Sequence, residues 1–569
     1  MTMSEIRPSD GVLSNKETTD DRRWVRLYAP GIGPDVAIEP ALPLDAFEAS
    51  VSTRPDAIAL WYFDAALSFR QLGQKVDALV TVWADRVKKG DRVVILNQNT
   101  PATVIGVLAV WRLGAIVVPL NPMLTRRELV HYLHDAEPCA AIVGAEQAMA
   151  LHGAILDWAG SLSVAVSFAN EFLREDDSPG LLGKVIENIE MPDGWSHLST
   201  LLDEPGTSSG RSIDRSDIAL LTYTSGTTGE PKAALITHAN VASNAEVYRQ
   251  WLELTSDDVL FAAAPFSHVT GLVAHIAAGL VAGAAVVMCY RFEAATVLDL
   301  LARHRCTTTV AAITAYIALL DQPAFDPSRL THFRKLFSGG APVAPAIVER
   351  WEAATGVYIH NAYGLTETTS PSHLVPLGRR APVDELTGSL SIGVPVPGTR
   401  CRIVDLQSRA AVPFGGDVGE LMTSGPQVVA GYWRKPDASS AAFEDGWLRT
   451  GDIGRADAEG WFYVVDRSKD MIVASGFKVW PREVEDVLLE HPAISEAAVI
   501  GVPDSYRGEA PKAFVVLRPS ATITQEELTL FCRERLAPYK VPRLIEVLDE
   551  LPKTNSGKVL RRVLREKPV

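Results

Sequence analysis

The chain has 569 residues, which exceeds what one hydrophobic core accommodates and indicates at least two domains. Apolar residues make up 47% and charged residues 22%, as in folded globular proteins and unlike disordered or fibrous ones. The formal net charge of -15 argues against a general nucleic-acid-binding protein, because neutralising phosphates requires a basic surface.

The five cysteines lie far apart with no CxxC pair, which argues against a disulfide framework or a structural zinc site and favours a reducing cytoplasm. The first twenty residues are polar and contain no apolar signal segment. From Arg533 onward, ten Lys or Arg residues stand against five Asp or Glu residues. This basic end is suited to handling anionic small molecules.

The first forty residues are rich in charge, Pro and Gly and predict a loosely held arm, residues 1–40. From "LSFRQLGQKVDALVTVWADR" onward, amphipathic helices alternate with short apolar strands such as "DRVVILNQN" and "IVVPLN". This alternation predicts parallel α/β layers, and a further series of strand and helix is expected to about residue 460.

The stretch Gly271–Cys289, "GLVAHIAAGLVAGAAVVMC", has the length and the Gly279/Gly283 spacing of a membrane helix. It contains His275 and lacks an aromatic or basic flank before it. Gly283 is placed to end a helix, and "AAVVMC" then reads as a strand. We therefore expect a buried core segment and no transmembrane helix.

The last hundred residues predict a separate α+β unit. Pro481 begins a helix, "EAAVIGV" and "KAFVVL" are strands, and Thr524 with Glu527 forms a capping box before "QEELTLFCRERL". We expect a large domain at residues 41–466, a hinge at 467–470 and a small C-terminal lid domain at 471–569.

The sequence "YTSGTTGEPK" follows the apolar run Ile218 to Leu221. Its glycines let the backbone approach a ligand, its hydroxyls and backbone N–H groups offer donors, and Lys232 adds a positive charge, so it predicts a cradle for phosphate. It is not a P-loop, because no Gly-Lys pair follows the first glycine at the required spacing. The residues concerned are Thr224, Ser225, Gly226, Thr227, Thr228, Gly229 and Lys232.

Five further motifs follow in order: "SGGAP" from Ser338, "NAYGLTET" from Asn361, "WLRTGD" from Trp447, "DRSKDMIVASGFKVWPREVE" from Asp466 and "PKTNSGKVLRR" from Pro552. Together with the phosphate loop they closely resemble the adenylate-forming superfamily of acyl-CoA synthetases, aryl-CoA ligases, luciferases and peptide-synthetase adenylation domains. The resemblance covers about residues 45 to 565. It implies an α/β fold with a large N-terminal domain of layered subdomains and a small mobile C-terminal α+β domain.

The same resemblance implies an ATP site. The phosphate loop would hold the β- and γ-phosphates, Thr366 the α-phosphate and Glu367 the Mg²⁺ ion. Tyr363 would stack on adenine, and Asp452, assisted by Arg467, would accept hydrogen bonds from the ribose. The remaining lining residues would be Gly340, Ala341, Pro342, Asn361, Ala362 and Gly364.

In this family a lysine matching Lys558 reaches the attacking carboxylate and the α-phosphate. Rotation of the small domain about a hinge at Lys469 would then admit coenzyme A (CoA). The CoA side would be lined by Ser475, Gly476, Phe477 and Lys478. Related ligases often carry an uncharged residue at the position of Lys478, which leaves its role open.

His268 in "APFSHVTGL" matches a residue that gates the carboxylate pocket of acyl- and aryl-CoA ligases, and Val269, Ser338 and Gly339 would line that pocket. No Asp stands near Ser267 to pair with a substrate ammonium, so an α-amino acid is disfavoured. The resemblance predicts a cytoplasmic, AMP-forming ligase that joins an apolar acid, either a medium- or long-chain fatty acid or an aryl-alkanoic acid, to CoA.

Two alternatives stay open: an adenylating enzyme that serves a separate carrier protein, and a non-catalytic ligand sensor on the same fold. The sequence is also compatible with a homodimer and with peripheral contact to a membrane.

Overall fold

The computed structural model describes residues 21–36, 39–174, 180–182, 191–206, 210–224, 231–467, 470–474, 477–504, 508–553 and 559–566. For residues 467, 473, 477, 478 and 508 only the backbone is described. Within these ranges the strands form four sheets, three in the large domain and one in the small domain. The predicted fold class, α/β layers followed by a small α+β domain, is confirmed.

The largest sheet has nine described strands, and six consecutive strands, from Ile359–Leu365 to Ile58–Tyr62, run parallel. These parallel strands are mostly buried, as expected for strands covered on both faces. In spatial order the strands are Val394–Pro395, Ser370–Leu374, Ile359–Leu365, Lys335–Ser338, Thr308–Ala311, Val259–Phe261, Ala285–Met288, Ile58–Tyr62 and Ala65–Ser68.

A second sheet of seven described strands is parallel except for its last pair. That antiparallel pair is joined by the predicted phosphate loop. The strands are Ser196–His197, Ser163–Ser167, Ala140–Gly144, Arg92–Leu96, Ile116–Pro119, Ile218–Thr224 and Lys232–Thr237. They include the strands predicted from "DRVVILNQN" and "IVVPLN".

The prediction of alternating strands and helices to about residue 460 was wrong. Residues 400–467 form an antiparallel sheet with one short helix, because strands such as Arg400–Val404 alternate exposed and buried residues with a period of two. The strands are Arg400–Val404, Ala411–Val412, Gly419–Ser424, Phe443–Glu444, Trp447–Ala456 and Phe462–Arg467.

The small domain contains the predicted strands and helices. Its sheet comprises Ile472–Ala474, Phe477–Val479, Ile494–Asp504, Gly508–Leu517 and Leu544–Leu548. Pro481 stands at the start of the helix Pro481–Leu489, and Thr524 and Glu527 form the expected capping box. Strand Phe462–Arg467 belongs to the large domain and Ile472–Ala474 to the small one, so the chain changes sheets between them.

The α-helices cover the sheets and present their apolar faces to the core. They are Pro43–Thr53, Phe69–Trp83, Pro101–Arg112, Arg126–Ala136, Ala148–Trp158, Leu198–Leu202, His238–Trp251, Ala278–Ala282, Ala294–Arg303, Ile313–Leu320, Pro345–Thr355, Pro436–Ala442, Pro481–Leu489, Gln525–Arg533 and Arg561–Arg565. Short 3₁₀ turns occur at Arg23–Leu27, Ala145–Gln147, Gly180–Leu182, Pro327–Leu330 and Thr366–Thr368.

The segment Gly271–Cys289 is buried in the core, as predicted. Gly283 has φ of +64° and ends the helix, and the strand Ala285–Met288 follows. Its first part, Gly271–Ala277, is a π-helix and not the expected α-helix. A side chain at Gly271 would lie 2.1 Å from the carbonyl oxygen of Pro265, so the backbone is packed too tightly there for another residue. Among the described residues no helix is long and apolar enough to cross a membrane.

The described part of the N-terminal arm is packed, contrary to the expectation that it is loosely held. Residues Arg23–Leu27 form a 3₁₀ turn that buries Trp24. Tyr28 is also buried, and its hydroxyl donates to the carbonyl oxygen of Pro395 at 2.6 Å. The two aromatic side chains, together with hydrogen bonds from Arg23 and Arg26 to the carbonyl oxygens of Ala458 and Glu459, hold this stretch on the large domain.

Candidate active site

Several of the predicted site residues lie at the carboxyl ends of two neighbouring parallel strands, Lys335–Ser338 and Ile359–Leu365. Ser338 and Asn361 are in register across this pair. The side-chain amide of Asn361 donates to the carbonyl oxygen of Ser391 at 3.0 Å, which fixes the second strand against the loop beyond it. In open α/β sheets this edge is where ligands bind.

Two glycines of the site stand where a side chain has no room. A Cβ at Gly339 would lie 2.8 Å from the carbonyl oxygen of Ala362, and one at Gly364 would lie 1.7 Å from that of Ser370. Gly340 has φ of +81° and begins the turn that leads into Ala341 and Pro342. The backbone of the two motifs is therefore packed too closely at Gly339 and Gly364 for any other residue.

The predicted nucleoside end is built around Asp452. This carboxylate is buried on the strand Trp447–Ala456, and the hydroxyl of Tyr363 donates to its Oδ2 at 2.6 Å. The Asp452 backbone N–H donates to Oγ1 of Thr450 at 3.1 Å. Arg467 is its register partner on the next strand. Tyr363 and Asp452, 89 positions apart in sequence, are thus brought together.

The predicted phosphate end is built around Glu367. Glu367 lies in the 3₁₀ turn Thr366–Thr368 and is half-buried. Its Oε1 accepts a hydrogen bond of 2.7 Å from the hydroxyl of Tyr432, and its carbonyl oxygen accepts one of 3.0 Å from the N–H of Val429. Burial and the Glu367 carboxylate raise the pKa of Tyr432, so its hydroxyl remains a donor at neutral pH.

The turn that carries Glu367 has an unusual backbone conformation and is held by hydrogen bonds from one buried side chain, that of Asn244. Thr369 and Ser370 have φ of +51° and +93°, which side-chain-bearing residues rarely adopt. The amide of Asn244 donates to the carbonyl oxygens of Thr368, Thr369 and Pro371 at 2.9, 2.8 and 3.2 Å. Asn244 is fully buried, so this clamp offsets the strain and fixes the turn.

The phosphate loop is described only at its two ends. Thr224 and Lys232 are register partners that close the loop, and the Lys232 Nζ lies 5.5 Å from the ring centre of Tyr432. The ends of the loop therefore meet the turn that holds Glu367.

The predicted acyl side begins at His268, which is half-buried and whose Nδ1 accepts from the Thr270 N–H at 3.2 Å. Val269 and Ser338 are buried. The Oγ of Ser338 has no hydrogen-bond partner within the part of the chain that the structure describes. A buried hydroxyl without a protein partner is often completed by a ligand or a water molecule.

A small apolar pocket of about 10 Å³, with room for about one water molecule, lies at the ends of two of the parallel strands. It is lined by Phe261 and Ala311 on the strands and by Tyr316 and Phe292 beyond them. The carbonyl oxygen of Ala311 accepts from the N–H of Gly339 at 3.1 Å, so the pocket borders the "SGGAP" turn.

The remaining predicted site residues cannot be placed in full. Outside the described residues lie Ser225, Gly226, Thr227, Thr228, Gly229, Lys469, Ser475, Gly476 and Lys558. Arg467, Phe477 and Lys478 are described by their backbone alone. The chain on either side of Lys558 is fixed: Lys553 and Val559 pair as an antiparallel bridge, and the Leu560 N–H donates to the Pro552 carbonyl oxygen at 2.7 Å.

Sequence reasoning missed two residues that the structure places at the site, Tyr432 and Asn244. Asn244 lies on the buried face of the helix His238–Trp251, and a polar residue on such a face is a signal that it has partners elsewhere. Tyr432 carries no comparable local signal, because the adjacent residues do not indicate which carboxylate its hydroxyl will meet.

Comparison with known proteins gives a consistent result. The AMP-binding enzyme family matches residues 47–433, and the AMP-binding enzyme C-terminal domain matches residues 483–558. A long-chain-fatty-acid–CoA ligase of Bacillus subtilis is 36% identical over 95% of this chain and 97% of its own length. A feruloyl-CoA synthase of an Amycolatopsis species is 35% identical over 90% of this chain and 96% of its own length.

Solved structures agree with this assignment. The anthranilate CoA ligase AuaEII in complex with anthranoyl-AMP superposes with a TM-score of 0.82 at 29% identity, covering 92% of this chain and 97% of that one. Sequence and fold thus agree along nearly the whole length. The chain belongs to the family of AMP-binding enzymes, the adenylate-forming superfamily.

Proposed function

We propose that the protein is an AMP-forming acyl-CoA ligase that activates an apolar carboxylic acid with ATP and passes the acyl group to CoA. The observation that carries this proposal is the pair of carboxylates, Asp452 and Glu367, each held by a tyrosine hydroxyl near the carboxyl end of the strand Ile359–Leu365. Tyr363 and Glu367 are four residues apart on the same segment, so the two carboxylates serve one site. Its relatives over most of the chain are CoA ligases.

In the first step the substrate carboxylate attacks the α-phosphate of ATP and pyrophosphate leaves. Asp452 would fix the ribose, Tyr363 would cover the adenine ring, and Lys232 would attract the leaving phosphates. Lys558 would bring a positive charge to the α-phosphate as the new bond forms. Pre-positioned charges of this kind stabilise the transition state more than the ground state.

The donor set at the phosphate end suits Mg²⁺. Within the described ranges, no group of three or more His, Cys, Asp or Glu side chains could hold a metal ion by itself. Glu367 offers hard oxygen atoms beside the expected phosphates, and Mg²⁺ is usually held by one or two carboxylates together with nucleotide phosphates. When bound, the ion would offset the negative charge of those phosphates.

In the second step the CoA thiol attacks the acyl carbon and AMP leaves. The small domain would turn about residues 467–470, withdraw Lys558 and bring Gly476 to the site, where a glycine leaves room for the pantetheine arm.

The acid is proposed to be a medium- or long-chain fatty acid or an aryl-alkanoic acid. The stretch after His268 is rich in Gly, Ala and Val, which supports an apolar acyl group, whereas the pocket of about 10 Å³ beside Phe261 is too small to hold one. The relatives named above act on a long-chain fatty acid and, in the second case, form feruloyl-CoA. Homodimer formation, membrane contact and cytoplasmic location stay predictions.

The test is mass spectrometry of the products after incubation with Mg²⁺, ATP and a panel of fatty and aryl-alkanoic acids, with and without CoA. We expect AMP and an acyl-CoA, with the acids ranked by turnover. Acyl-adenylate that persists in the presence of CoA would favour transfer to a separate carrier protein. ADP in place of AMP would contradict the mechanism, and ATP binding without any product would favour a ligand sensor.

A further inference from the structure

Tyr432 lies on a short segment that is fastened to the strand leaving the phosphate loop. The Leu235 N–H donates to the Gly431 carbonyl oxygen at 3.0 Å, and the Trp433 N–H donates to the Ala233 carbonyl oxygen at 2.8 Å. Ala234 and Tyr432 themselves pair as an antiparallel bridge. Tyr432 therefore lies beside Ala234, which is two residues after Lys232, the last residue of the phosphate motif.

Its side chain connects two parts of the site that are distant in sequence. The hydroxyl donates to Oε1 of Glu367 at 2.7 Å, and the Nζ of Lys232 lies 5.5 Å from the centre of the ring. An ammonium group at this distance is attracted to the face of an aromatic ring. One tyrosine thus contacts the carboxylate predicted to hold the metal ion and the lysine predicted to meet the leaving phosphates.

We propose that Tyr432 is a positioning residue that orients Glu367 for the nucleotide-bound metal ion and, through Lys232, couples metal binding to triphosphate binding. This inference rests on the proposed function. The tyrosine hydroxyl restrains the carboxylate through one oxygen, which leaves the other for the ion. A carboxylate that is already oriented loses less conformational freedom on metal binding, and partners of metal ligands commonly change metal affinity 10- to 100-fold.

A purely structural role is the competing explanation. The ring of Tyr432 also packs against Phe443, with ring centres 5.9 Å apart. If packing of the ring were its whole contribution, loss of the hydroxyl alone would leave metal affinity unchanged, because the ring stays in place. Metal affinity measured without turnover separates the two explanations.

The experiment measures Mn²⁺ binding by electron paramagnetic resonance in the presence of α,β-methylene-ATP, which cannot release pyrophosphate. The variants are Tyr432→Phe, Glu367→Gln, the double variant of these two, and Tyr432→Leu. Tyr463→Phe is the matched control, because the Tyr463 hydroxyl donates to a carboxylate oxygen of Asp457 at 2.8 Å outside the predicted site. Thermal unfolding of each free protein is recorded in parallel.

We expect Tyr432→Phe to weaken Mn²⁺ binding roughly tenfold, and Tyr463→Phe to leave it within about twofold of the wild type. The double variant should bind Mn²⁺ about as weakly as Glu367→Gln, because the hydroxyl acts through that carboxylate. Tyr432→Leu should also weaken binding of the metal-free analogue several-fold, since it removes the ring beneath Lys232.

Equal Mn²⁺ affinity in Tyr432→Phe and the wild type would overturn the proposal, as would additive effects in the double variant or a wild type that binds no Mn²⁺ with the analogue. Failure of the ligase assignment would appear elsewhere, as an acid panel without products while the Mn²⁺ difference persists.

Discussion

The large and small domains bury their ionisable groups in different ways. In the large domain, burial lowers the pKa of His238, His275 and His360 to about 4 and that of His373 to about 3, so these side chains are neutral. In the small domain, burial raises the pKa of Asp486 to about 7 although Arg482 lies 3.6 Å away. Burial thus favours the neutral form in both domains, but the neutral form of the large-domain histidines has lost a proton, whereas that of Asp486 in the lid has gained one.

The contrast extends to what each domain does. In the large domain the carboxylates of the site are held by tyrosine hydroxyls before any ligand arrives. In the small domain partly buried ion pairs join the terminal helix to the rest: Arg561 to Glu485 at 2.6 Å and Arg565 to Asp470 at 2.6 Å. The two site carboxylates of the large domain thus have protein partners in the absence of a ligand, whereas the terminal helix of the lid is held both by these ion pairs and by the fully buried Leu564.

One contact between the two domains has the same polar character. Arg482, at the start of the helix Pro481–Leu489, is buried and donates from Nη1 to the Val464 carbonyl oxygen at 3.0 Å and from Nη2 to the Val343 carbonyl oxygen at 3.4 Å. Val343 directly follows Pro342, which is predicted to border the adenine ring. Arg482 therefore connects the lid to the large domain beside residues that are predicted to bind the nucleotide.

The largest expected effect distinguishes the role of the lid in adenylation from the role of the large domain in ATP binding. Lys558→Ala should lower adenylation on the order of a hundredfold or more, because it removes one charge from the transition state. Binding of ATP, which we assign to the large domain, should change little. The measurement is ATP–pyrophosphate exchange with the preferred acid, together with calorimetry of ATP binding.

Lys553→Ala is the matched control for that experiment. Lys553 is five residues away, and its Nζ pairs with a carboxylate oxygen of Glu496 at 2.6 Å within the lid. It should retain near-normal exchange. Near-normal exchange in Lys558→Ala itself would contradict the assigned role.

Asp452→Asn tests the preformed carboxylate of the large domain. Hydrogen bonds to a charged group contribute about 1.5–3 kcal/mol, so ATP binding should weaken roughly tenfold or more. Calorimetric titration with ATP provides the measurement. Asp457→Asn removes a carboxylate that accepts a hydrogen bond from the Tyr463 hydroxyl outside the predicted site. This variant should leave ATP affinity unchanged. An equal loss in both variants would indicate a general effect on folding.

Asn244→Ala tests whether the hydrogen bonds from Asn244 stabilise the turn that carries Glu367. Three carbonyl oxygens would lose their donor, at a cost of about 1–3 kcal/mol in the free energy of unfolding. Urea unfolding measures this change, and exchange activity should fall with it because the turn of Glu367 loosens. Ser243→Ala, on the same buried helix, is the control. Unchanged stability in Asn244→Ala would show that the clamp contributes nothing.

The smallest expected effect per residue is on the pH dependence of stability, which should have opposite signs in the two domains. The buried histidines have native pKa values near 4 or below, under the ordinary 6.5, so their contribution to stability is full above pH 6.5 and is lost as the pH falls. Asp486 has a native pKa of about 7, above the ordinary 3.8, so its contribution is full below pH 3.8 and is lost as the pH rises through 7. Each group changes stability by at most about 1.4 kcal/mol per pH unit.

Hydrogen exchange of the intact chain at pH 5 and pH 6.5, read by mass spectrometry for each domain, measures this difference. From pH 5 to 6.5 the large domain should gain protection and the lid should lose it, after correction for intrinsic exchange. In Asp486→Asn the lid should lose its pH dependence. Parallel responses of both domains would contradict the contrast drawn above.

The sequence alone determined the alternation of helices and strands through the first half, the division into a large and a small domain, and the elements of the lid. Tyr363, Glu367 and Asp452 were assigned from the motifs that resemble the adenylate-forming superfamily, and the structure brings Tyr363 and Asp452 into contact. The helices, strands and domains were predictable because periodicity and capping are set by neighbouring residues.

Only the tertiary structure decided the rest. The hydroxyl of Tyr432 meets a carboxylate 65 positions away, and Asn244 clamps a turn more than 120 positions away. The antiparallel sheet of residues 400–467 and the π-helix at Gly271–Ala277 were likewise not predicted. Each depends on which surfaces pack together, and contacts between residues so far apart are set by the folded core, not by the local chain.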